Sequence, residues 1–130
     1  MFEKKLMLDT CALIWLVSGA DEISDNAKKQ IENASLVYVS PISAWEISLK
    51  EQRGALKLPV QCEEWFCSAI ENHNLTVYPL DYEILVFANR LPWHHKDPAD
   101  RFIIASAIKE KAAIITADKR FRKYDIKVII

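Results

Sequence analysis

Five short apolar runs are spread along the chain: "KLML" before Asp9, "LVYV" at 36 to 39, "LTVY" at 75 to 78, "AAIIT" at 112 to 116, and "KVII" at the end. Runs of this length bounded by polar residues read as strands, and stretches of helical periodicity separate most of them. Two strands with a helix between them cannot close as a hairpin, so the chain must cross back over the sheet before the next strand begins. The expected architecture is therefore α/β, a parallel sheet covered by helices on both faces. Ligands of such sheets gather at the carboxyl ends of the strands, where the strand order reverses.

The helix boundaries are marked. "TCALIWLVSG" ends at Gly19, and "SDNAKKQIENA" opens on Ser24 or Asp25 as N-cap. "SPISAWEISLKEQRG" has Ser40 as cap, Pro41 at the first helical position and Gly54 just past the end. Periodicity predicts further helices over 61–73, 81–90 and 98–111, with "LPWHHKDP" at 91 to 98 as a loop across one end of the sheet.

At 130 residues the chain reads as a single domain, 1–130, without repeat or linker. Its 51% apolar and 27% charged residues are those of a soluble globular protein. Only Gly19 and Gly54 are glycines, which excludes a P-loop and a G-x-G-x-x-G dinucleotide turn. A net charge of -1 means that any affinity for a polyanion must come from a local basic surface. "MFEKKLMLDT" lacks the features of a secretory leader, and "CALIWLV" falls well short of the roughly 20 residues that span a bilayer, so a cytoplasmic protein without a membrane segment is expected. Cys11, Cys62 and Cys67 form neither a disulfide framework nor a zinc motif; they are expected to be small packed hydrophobes in a reducing compartment.

The acids carry the chemistry. Asp9 and Asp118 each follow an apolar strand and precede a helical stretch, which suits an N-cap as well as a site at the sheet's carboxyl end. Ile42, Trp45, Glu46 and Leu49 share one side of their helix, so Glu46 is expected on or beside the core-facing stripe, where it needs an ion pair with Arg101 or a lysine, or a metal. In "HHKDPADRFIIASA", Asp97, Pro98 and Asp100 occupy N-cap, N1 and N3 as in a capping box. Asp97 is expected to start the helix. Asp100 heads an almost wholly apolar helix and is expected to project towards Asp9 and Asp118. Four acids on one sheet end, with no obvious basic residues among them, repel one another unless protonated or neutralised by a cation. Oxygen donors in this number favour Mg²⁺ or Mn²⁺, ions that hydrolyse phosphodiesters by activating water and stabilising charge on the attacking and leaving oxygens.

"MLDTCALIWL", "SAWEISLKEQRGALKLP", "HHKDPADRFIIASA" and "IITADKRFRKYDIKVI" together resemble a PIN domain, specifically the VapC-type toxins of bacterial toxin–antitoxin pairs. The four blocks stand in the family's order and reach from the first strand to the C-terminus. The resemblance implies a PIN-like three-layer fold with a five-stranded parallel sheet, and an Mg²⁺- or Mn²⁺-dependent endoribonuclease acting on RNA. It further implies a cognate antitoxin that covers the site with a peptide segment, and a homodimer. Its four acidic positions fall on Asp9, Glu46, Asp100 and Asp118, and Thr116 matches a supporting hydroxyl. Asp97 belongs to the subgroup's "DP-x-DR" block without being the general third acid. Cys11 stands where relatives often carry a polar residue, and Ala112 and Ala113 replace a frequent glycine.

Lys50, Arg53, Lys119 and Arg120, with Lys57, Arg122, Lys123 and Lys127 nearby, are candidate phosphate contacts, whereas Phe121 is expected to pack inward. Of His94 and His95, one is expected exposed and one packed, with no part in an all-oxygen site. Trp15, Trp45, Trp65 and Trp93 read as core or interface anchors, with Trp45 steadying Glu46. Two rivals remain: a non-catalytic PIN module binding RNA or protein through acids that only cap and pair, and a phosphoacceptor domain. The second is disfavoured because the strands at 36–39 and 75–78 run into Ser40 and Pro79.

Overall fold

The computed structural model describes residues 4–130; residues 1–3, part of the stretch read as lacking a leader, lie outside the described residues. Strands β1 (Lys5–Leu8), β2 (Leu36–Val39), β3 (Thr76–Val77), β4 (Ala113–Ile115) and β5 (Val128–Ile129) form one sheet. Its order is β3-β2-β1-β4-β5 and every pairing is parallel. The chain builds outward from β1 to β3, then returns to place β4 on the other side of β1. The strand order thus reverses between β1 and β4, and the crevice at their carboxyl ends is the ligand position of such a sheet.

Helices α1 (Thr10–Ser18), α2 (Asp25–Asn33), α3 (Pro41–Gln52), α4 (Cys62–Asn72), α5 (Tyr82–Arg90) and α6 (Pro98–Glu110) lie where the periodicity places them, and a 3₁₀ turn spans Lys119–Lys123. Alternation along each strand builds two cores. Leu6, Leu8, Val37, Val39 and Ile115 pack with α1, α2, α3 and α4, including Leu13, Ile47 and Trp65. Met7, Tyr38 and Ile114 face the other way, onto α5, α6, Phe121 and Tyr124. Ser24 and Ser40 cap α2 and α3 through their hydroxyls, and Gly19 ends α1 at φ 70°, a left-handed turn that glycine adopts without a Cβ clash. Lys111 takes the corresponding turn after α6 at φ 58° without that freedom.

Two expectations require correction. Cys11 and Cys67 are exposed and not packed in the core, whereas Cys62 is half-buried and packs against it. Of the stripe of Ile42, Trp45, Glu46 and Leu49, Ile42 packs against the core, but the residues α3 buries fully are Ser43 and Ile47. The stripe lines a groove of about 690 Å³ against Asp97, Pro98, Ala99 and Phe102, rimmed by Lys50 and Arg53. Of the tryptophans expected as core or interface anchors, Trp65 is buried and Trp15 partly so, whereas Trp45 is 59% exposed and Trp93 62% exposed, which leaves those two the interface alternative.

Candidate active site

Asp9 and Asp118 stand at the carboxyl ends of β1 and β4, side by side across the crevice. Asp9 is buried. Its Oδ1 accepts the Ala12 N–H at 2.8 Å, the cap of α1, and its Oδ2 accepts the Thr116 hydroxyl at 2.5 Å. Thr116 Oγ1 accepts the Asp118 N–H at 3.0 Å, so one hydroxyl ties both strand ends together. Burial raises the pKa of Asp9 despite these bonds, and the charges of Asp118 and Glu46 add to the rise.

Glu46 reaches the crevice from α3. The Thr10 hydroxyl donates to its Oε1, and Thr10 Oγ1 lies 2.9 Å from Ser43 Oγ. The ion pair with Arg101 weighed for Glu46 does not form; Lys50 lowers its pKa, but burial prevails and the carboxyl is raised. Asp97 caps α6, accepting the Ala99 N–H at 2.9 Å, and the Asp100 side chain projects from the first turn into the acid group. Asp100 is the most perturbed of the four. Burial first, then the charges of Asp97, Glu46, Asp9 and Asp118, push its pKa up to about 8. The helix N-terminus is not enough to keep it ionised.

Basic groups do enter this cluster. Arg120 grips Asp118 with two bonds, Nε to Oδ1 at 3.0 Å and one terminal nitrogen to Oδ2 at 2.7 Å, and the Asp118 carboxyl is held well below the usual range. Arg120 is therefore engaged at the site. His95, 1% exposed, places Nε2 3.0 Å from Asp118 Oδ2 and 3.1 Å from Asp100 Oδ2. The expected division holds, with His94 exposed and His95 packed, but His95 is part of the site, contrary to the expectation. Its partner in β4's trailing loop lies 23 residues away, which no local pattern reveals.

Asp9, Glu46, Asp100 and Asp118, with Thr116, thus surround one crevice, with Asp97 at its edge and Lys50 and Arg53 on the adjoining groove. Lys119 is exposed at the start of the 3₁₀ turn. The PIN domain profile matches residues 6–127. The chain belongs to the PIN domain family. Among relatives of this PIN domain, ribonuclease VapC22 of Mycobacterium tuberculosis is 28% identical over 120 residues, covering 92% of this chain and 91% of that protein. Solved structures with the same fold include VapBC2 from Rickettsia felis bound to a fragment of promoter DNA, with a TM-score of 0.72 at 16% identity over 96% of this chain and 97% of that one. DNA-bound VapBC from Salmonella typhimurium has a TM-score of 0.68 at 16% identity, covering 97% of each chain.

The donor set fits a hard divalent ion. Carboxylate oxygens come from four elements, burial raises Asp9, Glu46 and Asp100 with the charges of neighbouring acids adding to it, and a cation among them would return Asp100 to its ionised form.

Proposed function

We propose that this PIN domain is an Mg²⁺- or Mn²⁺-dependent endoribonuclease, the toxin of a toxin–antitoxin pair. The observation that carries the reading is the placement of Asp100 beside three other acids at the reversal point of the sheet, where burial and their charges push its carboxyl up to about 8. Such a group destabilises the fold at neutral pH unless a cation relieves it. Likeness to a ribonuclease over nearly the whole chain supports the same substrate class.

Asp9, Asp100, Asp118 and Glu46 would hold the ion, directly or through water. When bound, it supplies Lewis acidity that activates water and neutralises charge on the scissile phosphate. Thr116 holds Asp9 and the Asp118 backbone at a fixed separation, and Thr10 aims Glu46. Arg120 lies where it can release Asp118 for a phosphate oxygen, and Lys50, Arg53 and Lys119 offer further backbone contacts to RNA. The exposed Trp45 and the apolar groove beside the acids supply a surface for the peptide segment of a cognate antitoxin. A homodimer and a cytoplasmic setting complete the proposal; among the described residues no helix is long and apolar enough to cross a membrane.

The non-catalytic alternative draws on the caps made by Asp9 and Asp118 and on the Arg120 pair. Incubation of structured RNA with the purified protein separates the two. Cleavage that requires Mg²⁺ or Mn²⁺, stops with chelator and is lost in Asp9→Asn supports the nuclease; RNA binding without metal-dependent cleavage supports the alternative.

A further inference from the structure

His95 is buried on the loop between α5 and α6, where packing alone has no need of an imidazole. Its Nδ1 accepts the Asp97 backbone N–H at 3.2 Å. A neutral imidazole carries one proton, and an accepting Nδ1 assigns that proton to Nε2. Nε2 is the atom that faces Asp118 at 3.0 Å and Asp100 at 3.1 Å. His95, Asp100 and Asp118 place ligand atoms within 4.8 Å of one another, but in this tautomer the nitrogen on that side carries a proton and offers no lone pair, so the imidazole stands beside the two carboxylates as a donor. We propose that His95 is a positioning residue that holds Asp100 and Asp118 at the spacing their common cation requires. This rests on the metal-dependent nuclease reading and deepens it.

The support of His95 is built for placement. Its ring meets Phe121 edge-on with centroids 5.5 Å apart, and its backbone N–H donates to the Tyr124 hydroxyl at 3.0 Å. Its carbonyl accepts from Arg101 at 3.0 Å. Arg101 is 2% exposed and, among the described residues, has no carboxylate within ion-pair distance. Its guanidinium donates instead to the carbonyls of Ala88, Leu91 and Pro92 and lies near the Tyr124 hydroxyl, with the Trp93 ring 3.6 Å from its carbon. These bonds hold one conformation of the loop that delivers His95. Tyr124 closes the set by donating to the Pro92 carbonyl at 2.6 Å.

The test is manganese affinity, read from the loss of the free Mn²⁺ paramagnetic resonance signal on titration. His95→Gln keeps an N–H donor at the position of Nε2 and should bind within a few-fold of wild type. His95→Leu fills the space without a donor and should bind about 10- to 100-fold more weakly, the usual consequence of losing a group that orients metal ligands. Tyr124→Phe leaves every acid and the imidazole but loosens the anchor of His95, and should fall between them. Wild-type affinity in both His95→Leu and Tyr124→Phe overturns the proposal and leaves the nuclease reading intact. An equal loss in His95→Gln and His95→Leu also overturns it, since the imidazole nitrogen would then be a ligand. If His95→Leu does not fold, wild-type affinity in Tyr124→Phe or a full loss in His95→Gln still overturns it. A wild-type protein that binds no manganese overturns the nuclease reading itself.

Discussion

Asp97 and Asp100 sit three residues apart and do different work. Asp97 Oδ1 caps α6, and asparagine is as good a cap, so Asp97→Asn should lose less than about 1 kcal/mol in denaturant unfolding and retain much of the RNA cleavage. That difference in placement was legible in "HHKDPADRFIIASA", because cap chemistry is local and an apolar helix leaves its first-turn acid nowhere to point but the sheet end. His95 was not legible. Whether one of two adjacent loop histidines turns inward depends on Asp118 and Phe121, which only the fold brings near. Nor were the two bonds from Arg120 to Asp118 legible, since a run of basic residues reads as phosphate contacts or as a solvated face, and the bonds follow from the 3₁₀ turn that starts there.

Among the elements, the strands and helices followed from run length, periodicity and caps, since each depends on neighbours in the chain. The face that α3 turns inward did not follow. A stripe of Ile42, Trp45 and Leu49 looks the same whether it meets a sheet or an open groove, and the fold turns Ser43, bonded to Thr10, and Ile47 inward instead. The end of α6 offers a direct test of backbone conformation. Lys111 is left-handed at φ 58°, a position where a side chain is strained and glycine is not. Lys111→Gly should stabilise the protein by about 0.5–1 kcal/mol, measured as a rise in denaturant midpoint with unchanged slope. A fall in the midpoint would show that the side chain of Lys111 contributes more than its backbone strain costs.

At the scale of the whole molecule, the acid cluster couples stability to pH and to metal. In the folded protein Asp100 holds its proton up to about 8, whereas the unfolded chain releases it near 3.8. Between those values the native state binds more protons, so stability falls as pH rises, by up to about 1.4 kcal/mol per pH unit. The raised carboxyls of Asp9 and Glu46 act in the same direction. Asp118 acts oppositely: its lowered pKa contributes stability above the ordinary carboxylate range that is lost on acidification. The metal-free protein should therefore melt at a lower temperature at pH 8 than at pH 5.5, and Mn²⁺ should raise the melting temperature most at pH 8. A melting temperature that is flat with pH and indifferent to Mn²⁺ would contradict this account of the cluster.

The claim that the crevice is built for metal-assisted cleavage and not for stability is tested most directly in Asp100→Asn. The account predicts a folded protein, at least as stable as wild type at pH 8, that cleaves RNA in saturating Mn²⁺ at least about 100-fold more slowly. Cleavage at the wild-type rate by that folded variant would contradict it.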